Sequence, residues 1–325
     1  MFQSILSLFS GIGTFLVGMK LVSNNLQMVA GGRVEELFKK LGSSRLMSIG
    51  VGVGSSAVLQ SSSATTVILV SLVNSGLITL LQATCIIMGA NVGTTFTALI
   101  ISFNYLPIGE IFAFMTFVGA FIFMAFNKEK AVSIGWIVAS LGLMFIGLNL
   151  IKTASLSLAE FPQFRSIFYD LNSPFILLVL GAIFTSIIQS SSALTGIVIT
   201  FSYLGVMPLS CAFYLIMGGN VGSCATALLA SLGGSVNAKR TALINLLFNA
   251  LGVLIFLPLT IVFGKKVTQI LSHFSPSMVI AYFHIVFNLG STLILIPFAK
   301  KLTDLSILLI DDKKEKNILE MESVL

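Results

Sequence analysis

Long apolar stretches separated by short charged segments make up most of this chain. Asp, Glu, Lys and Arg are absent from residues 46–109 and again from residues 171–238. About 20 apolar residues are enough for one helix to cross a bilayer, so each stretch has room for several membrane segments. The pattern predicts an all-α polytopic membrane protein, since helices satisfy their own backbone hydrogen bonds in lipid.

The composition agrees with this interpretation. Of the 325 residues, 56% are apolar and 9% are charged, whereas a soluble domain carries about a quarter charged residues. The formal net charge of +6 lies in loops, where anionic lipid explains it better than nucleic acid does. Cys85, Cys211 and Cys224 are scattered, which indicates small packing residues and not a metal site or disulfide. We expect a multi-pass protein of the cell (inner) membrane of a bacterium.

Two short motifs recur at one fixed separation. Gln-Ser-Ser-Ser occupies residues 60–63 and 189–192, and Met-Gly-X-Asn-Val-Gly occupies residues 88–93 and 217–222, in each case 129 residues apart. Residues 86–99 and their counterparts are identical at nine of fourteen positions. The chain therefore contains two copies of one unit.

Each copy is predicted to contain the same series of membrane segments. We expect a transmembrane repeat at 1–127 and a second at 131–264, then an additional transmembrane helix at 276–302 and a charged C-terminal tail at 303–325. Within each repeat, a re-entrant helical hairpin turns at Gln-Ser-Ser-Ser, and a later transmembrane helix is interrupted near its Gly-X-Asn-Val-Gly segment. The predicted segments are spans at 5–29, 107–126, 132–155, 241–263 and 278–298, hairpins at 46–80 and 174–206, interrupted spans at 82–103 and 210–232, and a loop at 157–173.

Loop charge favours opposite orientations of the two repeats in the membrane. Residues 31–45 carry four Lys or Arg residues, whereas the equivalent residues 160–174 carry only Arg165. Basic residues concentrate on the cytoplasmic side, so the first segment is predicted to be cytoplasmic and the second external. Repeats of inverted topology are common in secondary transporters.

The duplicated motifs offer polar groups at membrane depth. A helix that begins at a break in the membrane presents free N–H groups and a positive dipole end, which favour an anion. Serine hydroxyls donate to oxyanions and also coordinate cations, and the side-chain oxygens of Gln60 and Gln189 suit a small alkali cation. Polar residues at equivalent positions of the two copies add further candidate ligands: Thr66, Asn91, Thr94, Thr97, Thr195, Asn220, Ser223 and Thr226. Close helix packing is the alternative role of any single Ser or Thr.

Neither motif region carries a charged residue. An anion bound there is expected to be held by dipoles, hydroxyls and a co-bound cation, not by Lys or Arg. This favours coupling to Na⁺ over coupling to protons, which usually needs an ionisable residue within the membrane. The nearest ionisable candidates, Glu110 and His284, lie outside both motifs.

At these residues the chain resembles the type II sodium-dependent phosphate cotransporter family. The resemblance rests on Gln60-Ser61-Ser62-Ser63 with Gly89-Ala90-Asn91-Val92-Gly93-Thr94, and on Gln189-Ser190-Ser191-Ser192 with Gly218-Gly219-Asn220-Val221-Gly222-Ser223. It covers residues 5–300 approximately. It implies Na⁺-driven symport of inorganic phosphate, with no enzymatic activity and no cofactor beyond Na⁺ as coupling ion.

The resemblance also implies binding residues. The family's sodium ligands fall on Gln189, Ser190 and Thr226. Together with the residue-based candidates, the predicted phosphate site contains Gln60, Ser61, Ser62, Ser63, Asn91, Ser190, Ser191, Ser192 and Asn220. The predicted sodium-binding residues are Gln60, Thr66, Thr94, Thr97, Gln189, Ser190, Thr195, Ser223 and Thr226.

Further expectations concern partners and stoichiometry. Many bacterial members continue into a PhoU-like helical domain, whereas this chain stops at Leu325, so that domain is expected to be absent or removed. A PhoU-like regulatory partner or domain and a homodimer are left open. Animal electrogenic members carry an acidic residue where this chain has residues 101–106, Ile-Ser-Phe-Asn-Tyr-Leu, which leaves stoichiometry open.

Several alternative functions remain open. The protein could export phosphate, or carry another oxyanion such as arsenate, sulfate or a small carboxylate. A passive channel is a second class. An intramembrane serine hydrolase is a third, but it needs a base beside the serine, and His273 and His284 both lie far from the motifs in sequence.

Overall fold

The chain folds into an all-helical molecule. The structure, a computed structural model, describes residues 1–40, 44–103, 109–171 and 173–311. The side chains of Glu110 and Arg165, and residues 312–325 of the predicted tail, lie outside the described part. The α-helices are α1 (Phe2–Lys39), α2 (Arg45–Leu59), α3 (Ser62–Asn74), α4 (Leu80–Ser102), α5 (Gly109–Ala125), α6 (Glu129–Ala159), α7 (Pro162–Tyr169), α8 (Pro174–Ile188), α9 (Ser191–Tyr203), α10 (Leu209–Gly222), α11 (Cys224–Ser231), α12 (Val236–Ile270), α13 (Pro276–Leu295) and α14 (Ala299–Leu309).

Six helical segments in the described residues are long and apolar enough to cross a membrane: Phe2–Lys39, Leu80–Ser102, Glu129–Ala159, Leu209–Ser231, Val236–Ile270 and Pro276–Leu309. These segments expose many large apolar side chains, including Phe9, Ile134 and Val262. Exposed apolar surface of this extent fits contact with lipid. The prediction of an all-α polytopic membrane protein is confirmed.

The sequence duplication is visible in the helix boundaries. Adding 129 to the bounds of α2 and α3 gives the bounds of α8 and α9, and adding it to α4 gives the combined range of α10 and α11. The backbone conformations repeat as well. Gln60 and Gln189 are left-handed, with φ of 52° and 58°, and so are Gly76 and Gly205, with φ of 70° and 65°. The two units therefore share one local fold.

Glycines bring the helices of each unit into backbone contact. A Cβ atom at Gly89 or Gly93 of α4 would collide with the carbonyl oxygen of Ile49 or Val53 of α2. Since residues 49 and 53 lie beside 89 and 93 in the same order, α2 and α4 run parallel. The chain must therefore turn back at Gln60 and again near Gly76. Gly218 and Gly222 of α10 meet Leu178 and Ala182 of α8 in the same way.

These contacts correct the predicted interruption in the first repeat, because α4 runs unbroken through Gly89–Gly93. In the second repeat the helix does break, at Ser223 between α10 and α11, directly after Gly218–Gly222. The glycines of the two motifs serve close helix packing, as small residues do in membrane proteins. A glycine-rich segment at membrane depth does not by itself break a helix.

Other boundaries also differ from the predicted ones. The polar segment 31–45 begins as part of α1, where the ion pairs Glu35–Lys39 and Glu36–Lys40 form at i,i+4 spacing across its last turn and C-cap. The predicted loop 157–173 contains the short helix α7. Pro297 produces a 3-10 turn after α13, and α14 then continues past the predicted boundary at 302 to Leu309.

Helix α1 packs against α6 and reaches the second repeat. Gly11 and Gly18 of α1 contact the α6 backbone at residues 150–151 and 143–144, so the two helices are antiparallel. Phe15 is fully buried: its backbone and Cβ lie against Gly147 of α6, and its ring lies against Gly196 of α9. This packing holds α1 between α6 and α9.

Candidate substrate cavity

Both Gln-Ser-Ser-Ser segments line one cavity. It has a volume of about 280 Å³, and its wall includes all eight residues of the two motifs, Gln60–Ser63 and Gln189–Ser192. A water molecule occupies about 30 Å³ of liquid volume, so the space accommodates a small oxyanion with several water molecules. The structure thus brings together two segments that are 129 residues apart in sequence.

The local sequence explains how each motif presents its polar groups. The left-handed Gln60 ends α2, and Ser61 then caps α3 by accepting a hydrogen bond from the Ala64 N–H at 3.1 Å. Gln189 and Ser190 repeat this arrangement, with the Ala193 N–H donating to Ser190 Oγ at 3.2 Å. Helices α3 and α9 therefore both begin at the cavity. Their positive dipole ends favour an anion there.

The first motif is fixed by hydrogen bonds from α4. Thr97 donates to Gln60 Oε1 at 2.9 Å, and Gln60 Nε2 donates to the Ala57 carbonyl at 2.6 Å. Thr94 Oγ1 accepts from the backbone N–H of Ser62 at 3.1 Å and lies 3.0 Å from Ser56 Oγ. Thr94 and Thr97, two predicted sodium ligands, thus hold the motif in place through hydrogen bonds and do not line the cavity.

The equivalent threonines of the second copy are bonded differently. Thr226, equivalent to Thr97, has a buried hydroxyl without a hydrogen-bond partner in the described part of the chain, and so does Thr185, equivalent to Ser56. Ser223, equivalent to Thr94, donates to the Asn220 carbonyl at 2.7 Å. The two copies share a backbone fold, but the described part of the second copy has two buried threonine oxygens without a hydrogen bond, those of Thr185 and Thr226.

Thr66 and Thr195 lie one turn into α3 and α9. Each donates to a carbonyl of its own helix, that of Ser62 at 2.8 Å and that of Ser191 at 2.9 Å. Both hydroxyls keep a lone pair that could bind a cation. Neither residue is part of the cavity wall.

The two predicted asparagine ligands are buried away from the cavity wall. Asn91 donates to the Ile87 carbonyl one turn earlier in α4. Asn220 donates to Asn288 Oδ1 at 2.7 Å, and its own Oδ1 lies 3.2 Å from His284 Nε2. The polar groups of Asn220 are therefore hydrogen-bonded to α13. These partners lie 64–68 residues further along the chain, and the motif does not predict them.

One face of α1 completes the cavity and supplies residues that the sequence analysis missed. Leu16, Met19, Lys20 and Ser23 line the cavity, at the spacing that places residues on one helix face. Ser23 donates to the Leu59 carbonyl, just before the first motif, at 3.4 Å. Lys20 corrects the expectation of an uncharged site, because it brings an ammonium group to the cavity from an element about 40 residues upstream of the first motif. The sequence feature that could have revealed Lys20 is its position in the middle of an otherwise apolar span, where a charged residue usually faces a cavity.

The fold and this cavity define a polytopic helical membrane protein with a duplicated polar site between its two units. The Na⁺/Pi-cotransporter family model matches residues 14–153 and 154–280, so each match contains one copy of the unit. The chain belongs to the Na⁺/Pi-cotransporter family.

Relatives in bacteria and animals agree with this assignment. The chain is 29% identical over 300 residues to YqeW of Bacillus subtilis, an uncharacterised protein, covering 92% of this chain and 96% of YqeW. It is 29% identical over 315 residues to YjbB of Salmonella typhimurium, which is provisionally named an inorganic phosphate export protein, but these span 57% of YjbB and 96% of this chain. Over 88 residues it is 35% identical to the mouse sodium-dependent phosphate transport protein 2C, covering 26% of this chain and 15% of that protein. No solved structure matches the chain.

Proposed function

We propose that this protein is a secondary transporter that carries inorganic phosphate together with Na⁺ across the cell (inner) membrane. The main support for this proposal is that both Gln-Ser-Ser-Ser segments line one cavity. The family, and relatives named for phosphate transport or export, support phosphate as the substrate. Family members are transporters, which also favours a function other than catalysis.

Phosphate is proposed to bind between the starts of α3 and α9. Serine hydroxyls from both motifs donate to its oxygens, and the two helix dipoles favour its negative charge. Ser62, Ser63, Ser191 and Ser192 all line the cavity, and Ser63 Oγ also donates to the Ser223 carbonyl at 3.3 Å. Asn91 and Asn220 then act indirectly, by holding the helices that carry the site.

Na⁺ is proposed to bind in the second unit, at Gln189, Ser190 and Thr226. Gln189 and Ser190 line the cavity. Thr226 is equivalent to Thr97, which contacts the glutamine of its own copy, and the Thr226 hydroxyl is buried without a partner in the described residues. A neutral oxygen that lacks a hydrogen bond gains most from a cation. The positive charge of Na⁺ would in turn help to hold phosphate.

Transport is proposed to proceed by alternating access between two repeats of inverted topology. In that arrangement Lys40 lies in the cytoplasm and Gln163 outside, and both residues are exposed. Cysteines placed at the two positions should react from opposite sides of intact cells with a membrane-impermeant thiol reagent. Labelling of both from the same side would contradict the inversion.

Flux measurements in proteoliposomes test the function. An inward Na⁺ gradient should drive labelled phosphate to accumulate above its external concentration, and a K⁺ gradient of equal size should not. Reversing the Na⁺ gradient should drive efflux, which also shows whether export is feasible. Equal phosphate flux with either cation would overturn the proposal, and flux without uphill accumulation would indicate a channel.

Two alternatives can be weighed on specific contacts. A serine hydrolase needs a base beside a motif serine, but His284 contacts Asn220 instead, and His273 is exposed in a turn.

Another tetrahedral oxyanion could accept hydrogen bonds from the same serine hydroxyls. Competition of arsenate and sulfate with phosphate in the flux assay would rank these substrates.

A further inference from the structure

Lys20 is a charged residue in the middle of an apolar helix. No other charged residue occurs in residues 1–32, and α1 extends from Phe2 to Lys39. Placing a charged side chain within a membrane span costs free energy, and such residues usually face a cavity or a partner. Lys20 faces the cavity between the two motifs.

The ammonium group of Lys20 is available to a ligand. In the described part of the chain, the ion pairs are Glu35–Lys39 and Glu36–Lys40, both near the end of α1. Lys20 belongs to neither; the residue is exposed and lines the cavity. Lys20 is the charged residue among those that line the cavity; the other polar residues there are Ser and Gln.

The position of Lys20 is fixed by its neighbours on α1. Phe15 packs between α6 and α9, and Ser23 donates to the Leu59 carbonyl that precedes the first motif. These contacts fix the part of α1 that carries Lys20 beside α9 and beside the residue that precedes the first motif. A lysine head on a flexible stem suits a point contact with an oxyanion.

The charge is not duplicated. The residue equivalent to Lys20 in the second copy is Asn149, and Lys152 of α6 is equivalent to Ser23. Neither belongs to the cavity wall. The cavity therefore has two sets of hydroxyls and a single ammonium group, on the α1 side.

We propose that Lys20 pairs with the bound oxyanion and selects for its charge, so that a doubly charged tetrahedral anion is preferred over a singly charged one of similar shape. This inference rests on the proposed phosphate transport. Hydroxyls and helix dipoles accept either anion, whereas an ammonium group gains more from the doubly charged one, since Coulomb energy scales with the product of the charges. Lys20 is thus a specificity-determining residue of the site.

The test uses the full chain in proteoliposomes at one fixed pH. Phosphate uptake is measured with monofluorophosphate, a dianion, or difluorophosphate, a monoanion, as competitor. The wild type should be inhibited more strongly by monofluorophosphate. Lys20→Gln should raise the KM for phosphate about tenfold, as expected for loss of a charge-assisted hydrogen bond, and should reduce the preference for the dianion by a similar factor.

Two variants separate charge from packing. Lys20→Arg keeps the charge and should keep the preference for the dianion. Lys152→Gln removes a lysine from the equivalent region of α6 and should change neither quantity. If Lys20→Gln does not reach the membrane, Lys20→Met keeps the apolar stem and gives the same comparison.

The outcomes distinguish this inference from the proposed function. Absence of Na⁺-dependent phosphate uptake in the wild type overturns the function. Normal wild-type uptake, together with an unchanged KM and an unchanged dianion preference in Lys20→Gln or Lys20→Met, overturns the role of Lys20 and leaves the function standing.

Discussion

At the scale of single residues, the proposed phosphate site depends most on two motif serines, one at the start of each of two helices. Ser62 is the first residue of α3 and Ser191 the first of α9, and both line the cavity. Ser62→Ala and Ser191→Ala should each reduce phosphate transport by about tenfold or more, because each removes a proposed hydrogen-bond donor to phosphate. Transport in proteoliposomes at matched protein density measures this effect.

Ser157 provides the control for those serines. It is exposed on α6, where it donates to the Thr153 carbonyl, away from the cavity. Ser157→Ala should transport at the wild-type rate. Wild-type phosphate KM in both motif variants would contradict a site shared between the two copies.

Thr226 tests the proposed sodium site in the same way. Its buried hydroxyl is unpartnered in the described residues, so Thr226→Val preserves shape while removing a free oxygen. The variant should need about tenfold more Na⁺ for half-maximal uptake, with phosphate KM at saturating Na⁺ changed little. Thr260, bonded to the Phe256 carbonyl of α12, is the matched control, and Thr260→Val should leave the Na⁺ dependence unaltered. An unchanged Na⁺ dependence in Thr226→Val would remove Thr226 from the site.

At the scale of helices, close glycine contacts position the cavity. A Cβ atom at Gly52 would collide with the Ile86 carbonyl oxygen, whereas one at Gly50 or Gly54 meets open space. Gly52→Ala should therefore destabilise the protein by about 1–3 kcal/mol through overpacking. Gly50→Ala should be neutral or slightly stabilising, since alanine favours the helix. Thermal unfolding in detergent compares the two, and equal melting temperatures would contradict the close contact of α2 with α4 at Gly52.

The helical elements were only partly predictable. The break at each motif could be predicted because left-handed Gln60 and Gln189 and the caps Ser61 and Ser190 act within a few residues of sequence. The supposed interruption of α4 was wrong because glycine at membrane depth fits both a break and a close contact. Only the position of Ile49 and Val53 beside Gly89 and Gly93 decides between the two.

At the scale of the whole molecule, contacts distant in sequence were the ones that sequence reasoning missed. The duplication was visible because it repeats residue identities at one offset. Lys20 reaches the site from a different helix, and Asn220 is held by His284 and Asn288 of α13. Such partners share no motif with the residues that they contact, so only the packing of α1 and α13 reveals them.

The two copies are proposed to form one phosphate site, not two. Equilibrium binding of labelled phosphate to purified protein, at saturating Na⁺, measures how many phosphates each chain binds. We predict one phosphate per chain in the wild type, and loss of that single phosphate in Ser62→Ala and in Ser191→Ala alike. Two phosphates per chain in the wild type, each removed by only one of the two substitutions, would contradict it.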